Sequence, residues 1–227
     1  MKKLKQRFAG RIPRLIMFDL DGTLVDSVPD LAAAVDVMLT QLGRPTAGVE
    51  VVRHWVGNGA MVLVQRALAN SYDYSSVSED EAAPALDLFL QAYAQEQSRT
   101  CLYSTVLDTL HTLRDSGVLL AMITNQPERF LPDLLKQHQL DGLFSWVIGG
   151  DTLPYKKPEP GSLLWVMQQA QVEPQECLFV GDSRNDILAA KAAQVCCAAL
   201  TYGYNHGQPI ELENPDWIID SLSQLLD

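Results

Sequence analysis

The sequence has no apolar run long enough to cross a membrane. Its longest uninterrupted apolar stretches are residues 118–123 and 195–200, whereas a membrane helix needs about 20 such residues. A hydrophobic fraction of 47% and a charged fraction of 20% instead describe a globular chain with a sizeable core. We therefore expect no membrane partner, and 227 residues suit a domain that carries an insertion.

Cysteine is scarce as well, and several catalytic motifs are missing. The four cysteines are Cys101, Cys177, Cys196 and Cys197, with no Cys-x-x-Cys pair and no Cys/His cluster at zinc spacing. Cysteines in apolar runs typically act as small buried hydrophobic residues. Free thiols are typical of a reducing compartment, so we expect a cytoplasmic protein. The sequence also lacks the Gly-x-x-x-x-Gly-Lys loop of nucleotide hydrolases and the Gly-x-Ser-x-Gly elbow of serine hydrolases.

Positive charge is concentrated in the first 14 residues. These contain six basic and no acidic residues, which leaves a net charge of −17 on residues 15–227. Within them residues 8–10 are followed by Arg11 instead of the apolar region of a signal peptide, and we expect a frayed basic tail. The acidic body argues against a nucleic-acid partner, because such binding depends on Lys and Arg at the phosphates. A small anionic substrate would need its own local cations.

Apolar runs alternate with helical patterns over much of the chain. Strands are predicted at residues 15–18, 118–123, 146–148, 177–180, 195–200 and 217–219, and helices between them at residues 107–113, 130–138, 162–171 and 187–193. Strands separated by helices predict an α/β fold with a Rossmann-like parallel sheet.

The segment between the first two of these strands has a different character. Residues 27–100 show no convincing strand, and helical spacing instead predicts helices at residues 24–40, within 49–68 and at 82–97. We therefore predict a catalytic core of residues 1–26 and 103–227, with an inserted helical cap at residues 27–102. The oligomeric state is left open.

Polar clusters follow directly on three of the predicted strands. Asp19 and Asp21 end the first, Thr124 and Asn125 the second, and Asp182 and Asp186 follow residues 177–180, while Lys156 and Lys157 lie in a loop after residues 146–148. The carboxyl ends of parallel strands share one edge of the sheet, where ligands bind. Each cluster also has an ordinary interpretation, as a turn, a helix N-cap or a solvated pair of lysines.

Carboxylates, lysine and a divalent cation together make a coherent site for phosphoryl transfer. In this hypothesis Asp19 attacks phosphorus and Asp21 first donates and then accepts a proton. Mg²⁺ would be held by Asp19, the backbone carbonyl of Asp21 and Asp182, with Asp186 as a ligand or a support. Thr124 and the Asn125 amide would donate hydrogen bonds to phosphoryl oxygens, and Lys157 would offset their charge.

Four ordered motifs resemble those of the haloacid dehalogenase-like hydrolase superfamily. They are residues 19–23, Thr124 with Asn125, Lys157 with Pro158, and residues 181–186. The resemblance implies Mg²⁺-dependent phosphatase chemistry, and the position before Pro158 favours Lys157 over Lys156. Residues 55–60, 148–151, 156–158 and 200–205 are most similar to bacterial phosphoglycolate phosphatases. Two departures are Ser104 with Thr105, where relatives often carry Pro-Gly, and Gln194, where they often carry Gly.

We therefore predict a phosphomonoester hydrolase for a small phosphorylated metabolite, 2-phosphoglycolate above others. Gly57, Asn58 and Gly59 of the cap are candidates for contact with the leaving group. Arg53, His54 and Arg66 are further candidates for a substrate carboxylate. The alternatives are a phosphatase or phosphomutase for sugar phosphates or nucleotides on the same scaffold, or a noncatalytic phosphate-binding protein.

Overall fold

Eight strands form two sheets in the computed structural model, which describes residues 1–95 and 98–227. The strands are β1 (Leu15–Phe18), β2 (Val25–Asp26), β3 (Cys101–Leu102), β4 (Leu119–Ile123), β5 (Trp146–Ile148), β6 (Cys177–Gly181), β7 (Cys196–Leu200) and β8 (Trp217–Ile219). The main sheet has the order β5-β4-β1-β6-β7-β8, and all its neighbours pair in parallel. The predicted α/β class with a parallel sheet is confirmed.

Helices connect these strands. They are α1 (Lys2–Arg7), α2 (Val28–Gln41), α3 (Val49–Arg53), α4 (Ala60–Ala69), α5 (Glu79–Gln95), α6 (Val106–Asp115), α7 (Leu131–Gln137), α8 (Gly161–Ala170) and α9 (Arg184–Ala192). Short 3₁₀ turns span Glu128–Phe130, Pro174–Glu176, Ile210–Glu213 and Leu222–Leu225. Among the described residues, no helix combines the length and apolar character needed to span a membrane.

Strand β1 lies at the centre of the sheet because it is apolar on both faces. Ile16 and Phe18 belong to one buried cluster, with Leu110 of α6 and Leu134 of α7 among its members. Their neighbours Leu15 and Met17 point to the opposite face and join a second cluster that includes α8 and α9. This alternation is the two-residue period of a strand, and it places helices on both faces of the sheet.

Helices α2 to α5 lie between β2 and β3 in the chain and share a third buried cluster. Strands β2 and β3 pair antiparallel, with Val25 opposite Leu102 and Asp26 opposite Cys101. The segment by which the chain leaves the α/β part therefore lies beside the segment by which it returns. This pair was missed in the sequence because two-residue strands show no periodicity, and the division at residues 26/27 and 102/103 stays a prediction.

Several element boundaries differ from the predicted ones. Helix α5 begins at Glu79 and is described to Gln95, so residues 96–97 of the predicted helix lie outside the described residues. Helix α9 begins at Arg184 because Ser183 and Asp186 form a capping box at its start. The predicted helix at residues 24–40 begins only at Val28, since β2 occupies residues 25–26.

The expectation of a frayed basic tail is wrong. Residues Lys2–Arg7 form α1, whose Leu4 is fully buried in the first cluster. The Lys3 ammonium lies 2.9 Å from the Asp227 carboxylate, and Arg7 donates to the backbone oxygen of Asp216 at 2.8 Å. Lys3 and Arg7 thus contact Asp227 and Asp216 of the same chain. The one large apolar side chain of the helix, Leu4, is removed from water.

Gln194 adopts a left-handed conformation, with φ of 58°, at the end of α9. A side chain costs about 1–2 kcal/mol in this region. We expect Gln194→Gly to raise the free energy of unfolding by about 0.5–1 kcal/mol, after the extra backbone entropy of glycine is subtracted. The matched control is Gln168→Gly on the exposed side of α8, which should lower that free energy by about 1 kcal/mol. Equal destabilisation by both changes in urea unfolding would contradict the expectation.

Candidate active site

Asp19 and Asp21 follow the carboxyl end of β1, where the chain turns. The Asp19 N–H donates to the Val180 oxygen at 2.9 Å, which continues the pairing of β1 with β6. Gly22 then takes φ of +84° and packs against the Asp182 side chain so closely that a Cβ would collide with it. The glycine therefore allows both the turn and the close approach of a second carboxylate.

Asp182 is held from two sides at the end of β6. It is 2% exposed. Its oxygens accept hydrogen bonds from the Thr23 hydroxyl at 2.7 Å and the Tyr204 N–H at 2.6 Å. The loops after β1 and β7 thus fix its orientation.

Asp186 is fully buried in the first turn of α9. Its Oδ2 accepts hydrogen bonds from the Ser183 hydroxyl at 2.7 Å, the Ser183 N–H at 3.0 Å and the Asp182 N–H at 3.2 Å. Its Oδ1 accepts one from Lys157 at 2.7 Å. Both oxygens are therefore engaged, which suits a residue that holds the loop and the lysine in place.

Lys157 lies between two carboxylates. Its Nζ is 2.6 Å from Asp19 Oδ1 and 2.7 Å from Asp186 Oδ1, and the side chain is buried. Asn125 fixes the backbone of this lysine, since its Oδ1 accepts from the Lys157 N–H at 3.0 Å and its Nδ2 donates to the Lys157 oxygen at 2.9 Å. Of the two lysines considered, Lys157 is the one in the site, whereas Lys156 is exposed.

Asp21 faces hydroxyl groups instead of cations. Its Oδ1 accepts a hydrogen bond from Ser27 at 2.5 Å, and its Oδ2 accepts one from Thr124 at 3.4 Å. The Gln126 N–H donates to the Thr124 hydroxyl oxygen at 3.1 Å, which orients that hydroxyl. The Asp21 carboxylate is thus bonded to hydroxyl groups and the Asp19 carboxylate to a lysine, although the two residues are only two positions apart.

Burial and crowding change the proton affinities of these groups. Burial raises the pKa of Asp19 well above its usual value, and the neighbouring carboxylates add to that effect against Lys157. Burial and Asp186 raise the pKa of Asp182 to about 7. Burial also raises the pKa of Asp21. For Lys157, burial favours the neutral form, but Asp186 and Asp19 outweigh it and raise its pKa.

The carboxylates provide a ligand set suited to a hard divalent cation. One side-chain oxygen each from Asp19, Asp182 and Asp186 lie within 4.8 Å of one another, and all three residues are buried. Burial, with the neighbouring carboxylates adding to it, raises the pKa of Asp19 and of Asp182, so a cation beside them would favour their ionised forms. Oxygen ligands of this kind suit Mg²⁺. The Asp21 carboxylate is not in this cluster among the described residues, and the prediction for Asp21 concerns its backbone carbonyl.

The loop between α3 and α4 reaches the carboxylate edge of the sheet. The Gly57 backbone oxygen accepts hydrogen bonds from Asn125 Nδ2 at 3.0 Å and from Asn185 Nδ2 at 3.1 Å. Asn58 donates to Asn185 Oδ1 at 3.3 Å. Gly57 and Gly59 line the cavity above the carboxylates. The side-chain amide of Asn125 is thus used by protein groups, and its contact with substrate stays a prediction.

One cavity contains the predicted catalytic side chains. Its lining comprises Asp19, Asp21, Leu31, Val56, Gly57, Gly59, Ala60, Leu63, Phe89, Leu90, Tyr93, Thr124, Asn125, Gln126, Pro127, Phe130, Lys157, Asp182, Ser183 and Tyr204. Asp186 lies beneath it, bonded to Lys157. The carboxylates, Thr124 and Lys157 are therefore brought together as the motif spacing predicted.

The three cap residues suggested for a substrate carboxylate do not line this cavity. The Arg53 guanidinium lies over the Tyr204 ring and 3.7 Å from Asp26. Arg66 donates to the backbone oxygens of Trp55 and Tyr72. The backbone oxygen of His54 lies 3.1 Å from Nδ1 of His206. Arg53 and His54 thus contact residues that follow β7, and Arg66 is held by backbone oxygens of the inserted segment.

Several supporting residues were missed in the sequence. Ser183 could have been found from the Ser-x-x-Asp spacing of a capping box. Ser27, Gln126 and Tyr93 had no local signal, since they meet the site from separate elements. Their roles depend on tertiary contacts across the boundary between the sheet and the inserted helices.

Comparison with known proteins agrees with this geometry. A family model described as haloacid dehalogenase-like hydrolase matches residues 13–194. The chain belongs to the haloacid dehalogenase-like hydrolases, as the motifs predicted.

Individual relatives narrow the comparison. A phosphoglycolate phosphatase of Pseudomonas putida is 60% identical over 226 residues, which cover 100% of this chain and 83% of the relative. Phosphoglycolate phosphatase 1 of Pseudomonas aeruginosa is 60% identical over 219 residues, which cover 96% of this chain and 80% of the relative. A crystal structure described as a predicted phosphoglycolate phosphatase from Haemophilus somnus has a TM-score of 0.88 and 39% identity, covering 94% and 96%.

The raised pKa of Asp182 predicts a pH dependence of stability. Its pKa is about 7 in the folded chain against an ordinary 3.8. Between about pH 4 and 7 the folded protein therefore holds a proton that the unfolded chain has released, so the free energy of unfolding falls as pH rises, by at most about 1.4 kcal/mol per pH unit. Urea unfolding with a chelator present should show this fall in the wild type relative to Asp182→Asn.

Mg²⁺ should remove that fall in the wild type, because the ionised carboxylate would then have a partner. Asp182→Asn has no carboxylate to titrate at this position, so the fall that Asp182 causes should be absent from its free energy of unfolding, and the difference between the two proteins should change with pH. A difference between the two proteins that does not change with pH would contradict the assignment.

Proposed function

We propose that this chain is a Mg²⁺-dependent phosphomonoester hydrolase that acts through an aspartyl-phosphate on Asp19, with 2-phosphoglycolate as its substrate. The observation that carries the proposal is the buried group of Asp19, Asp182 and Asp186 around Lys157. Buried carboxylates repel one another and are destabilising without compensation. Their collection at the carboxyl edge of a parallel sheet is explained by a reaction that needs them.

The metal would be held by Asp19, Asp182 and the backbone carbonyl of Asp21, with Asp186 as a ligand or a support. The engaged oxygens of Asp186 favour the supporting role, because both accept hydrogen bonds from the protein. When bound, Mg²⁺ supplies the positive charge that allows these carboxylates and a phosphoryl group to occupy one site.

The first chemical step belongs to Asp19 and Asp21. A carboxylate oxygen of Asp19 attacks phosphorus, the bond from phosphorus to the leaving oxygen breaks, and Asp21 gives its proton to that oxygen. The raised pKa of Asp21 suits a group that carries this proton. Lys157 keeps its positive charge beside Asp19 and offsets the charge of the phosphoryl oxygens, and Thr124 donates a hydrogen bond to one of them.

The second step reverses the role of Asp21. Its carboxylate accepts a proton from a water molecule, that water attacks phosphorus, and the bond from phosphorus to Asp19 breaks, releasing phosphate. Ser27 keeps the Asp21 carboxylate oriented through both steps. The cap loop over Asn125 and Asn185 would limit access of other water while the leaving group is still bound.

The choice of 2-phosphoglycolate is supported by relatives that carry that activity in their names and are 60% identical to this chain. The catalytic residues alone do not select a leaving group, since one scaffold supports many substrates. We further propose a cytoplasmic protein without nucleic-acid partners. Its cysteines are unpaired and its net charge is −11.

Replacement of the nucleophile tests the covalent mechanism. We expect Asp19→Asn to fold and to lose phosphatase activity by about 10³-fold or more, because an amide does not form the acyl phosphate. Phosphate release and circular dichroism measure the two properties. Asp141→Asn, at an exposed acid, is the matched control and should keep full activity. Activity of Asp19→Asn near the wild-type level would exclude the covalent route.

A substrate panel tests the proposed function itself. Phosphate release from 2-phosphoglycolate, sugar phosphates and nucleotides should be greatest for 2-phosphoglycolate, and excess EDTA should abolish it until Mg²⁺ is restored. Preference for sugar phosphates or nucleotides would keep the mechanism and reject the substrate. Binding of phosphate without turnover of any ester would favour the noncatalytic alternative.

A further inference from the structure

The cap side of the active-site cavity is apolar. Leu31, Val56, Leu63, Phe89, Leu90 and Phe130 contribute to its lining. Among the described residues that line the cavity, the only basic one is Lys157, which is bonded to Asp19 and Asp186. A leaving group that carries a carboxylate therefore meets no cation in this part of the cavity, and any polar recognition must come from neutral groups.

One pair of neutral polar groups interrupts the apolar wall. Gln126 and Tyr93 both line the cavity, and Gln126 Nε2 donates to the Tyr93 hydroxyl oxygen at 2.7 Å. Gln126 is 6% exposed and Tyr93 1% exposed. The Gln126 Oε1 atom is buried and has no hydrogen-bond partner in the part of the chain that the structure describes. A buried polar atom without a partner is costly. Oε1 itself would need a donor, but when the amide turns by half a rotation Nε2 takes its place and needs an acceptor, which a ligand in the cavity can supply.

The Tyr93 hydroxyl is rigidly placed and remains protonated. Its ring stacks with Phe89 at 5.9 Å and meets Phe130 edge-on at 5.0 Å. Burial raises the pKa of Tyr93, and the charge of Asp21 adds to this effect. The hydroxyl is therefore a donor as well as the acceptor for Gln126, because a phenol serves both roles.

The pair can always offer a donor to the cavity. With Nε2 bonded to Tyr93, the tyrosine hydrogen is free. If the Gln126 amide turns by half a rotation, Tyr93 donates to Oε1 and the Nε2 hydrogens become free. Both arrangements keep the bond between the two side chains. A carboxylate oxygen needs such a donor, and a hydrogen bond to a charged group is stronger than one between neutral groups.

We propose that Gln126, oriented by Tyr93, is the specificity-determining residue that donates a hydrogen bond to the carboxylate of the leaving group. This inference rests on the proposed function. Gln126 follows Thr124 by two residues and its N–H donates to the Thr124 hydroxyl, so the same strand end that serves the phosphoryl group also meets the far end of a short substrate. The apolar wall around it strengthens that hydrogen bond by excluding water.

Three substrates with the same phosphoryl group test the inference. They are 2-phosphoglycolate, 2-hydroxyethyl phosphate, which replaces the carboxylate by a neutral alcohol, and ethyl phosphate, which has no polar group there. In the wild type, kcat/KM should be greatest for 2-phosphoglycolate. Gln126→Leu should reduce the ratio of 2-phosphoglycolate to ethyl phosphate at least about tenfold, since it removes the donor at similar volume.

Gln126→Glu provides a sharper outcome, because it keeps the shape and replaces the donor by a carboxylate. It should reverse the preference, so that 2-hydroxyethyl phosphate exceeds 2-phosphoglycolate. If Gln126 had a purely structural role, its replacement would change kcat/KM for all three substrates by the same factor. Tyr93→Phe removes a single oxygen atom and should reduce the same ratio in a folded protein, which covers the case in which the Gln126 variants fail to fold.

The matched control is Gln65→Leu. Gln65 is a buried glutamine of α4 that donates to the Val77 backbone oxygen at 2.9 Å and does not line the cavity. Its variant should lose stability and keep the wild-type substrate ratio. If wild type prefers 2-phosphoglycolate and all Gln126 and Tyr93 variants keep that preference, this inference is overturned and the proposed function stands. Wild type without that preference overturns the proposed substrate and the inference with it.

Discussion

The rest of the structure depends on an excess of negative charge at one edge of the sheet. Asp19, Asp182 and Asp186 are all buried there, and Lys157 is the cation that lies among them. Like charges at such distances in a dry environment repel strongly. The surrounding turns, caps and glycines are best understood as the means by which the fold tolerates this charge until a cation and a phosphoryl group complete it.

The supporting contacts come from three loops, which follow β1, β6 and β7. Thr23 and Tyr204 donate to Asp182, and Ser183 donates to Asp186. Gly22 permits the close approach of Asp182. Thr23, Tyr204 and Ser183 each satisfy one oxygen of a carboxylate, so the acids are hydrogen-bonded without being neutralised. That combination keeps them oriented and leaves their charge available for chemistry.

Much of this arrangement could be predicted from the sequence because the polar residues follow directly on apolar strands. The parallel order of those strands brings Asp19, Thr124 and Asp182 to one edge whatever the details of packing. The packed basic helix around Leu4 was not predictable in that way. Its charge pattern is that of a solvated tail. The contacts of Arg7 with Asp216 and of Lys3 with Asp227 hold the helix on the folded chain, and they are visible only in the structure.

The placement of the cap side chains was also beyond the sequence. Arg53 and Arg66 were reasonable partners for a substrate carboxylate by charge alone, yet they stack on Tyr204 and on Tyr72. Helical periodicity tells which face of a helix is buried and not which neighbour it meets. The roles of Gln126 and Tyr93 depend on a contact between α5 and the loop after β4, for which the sequence has no local pattern.

The end of β4 explains how chemistry and recognition are joined. Thr124 donates to Asp21, Asn125 binds both the Lys157 backbone and the Gly57 oxygen of the cap loop, and Gln126 bonds to Tyr93. Three consecutive residues therefore contact Asp21, the backbone of Lys157, the Gly57 loop and Tyr93 of α5. Because they share one short backbone segment, a displacement of the cap at Gly57 or Tyr93 would be felt at Thr124 and Lys157. The position of the cap and the geometry of the catalytic groups are thus mechanically linked at this strand end.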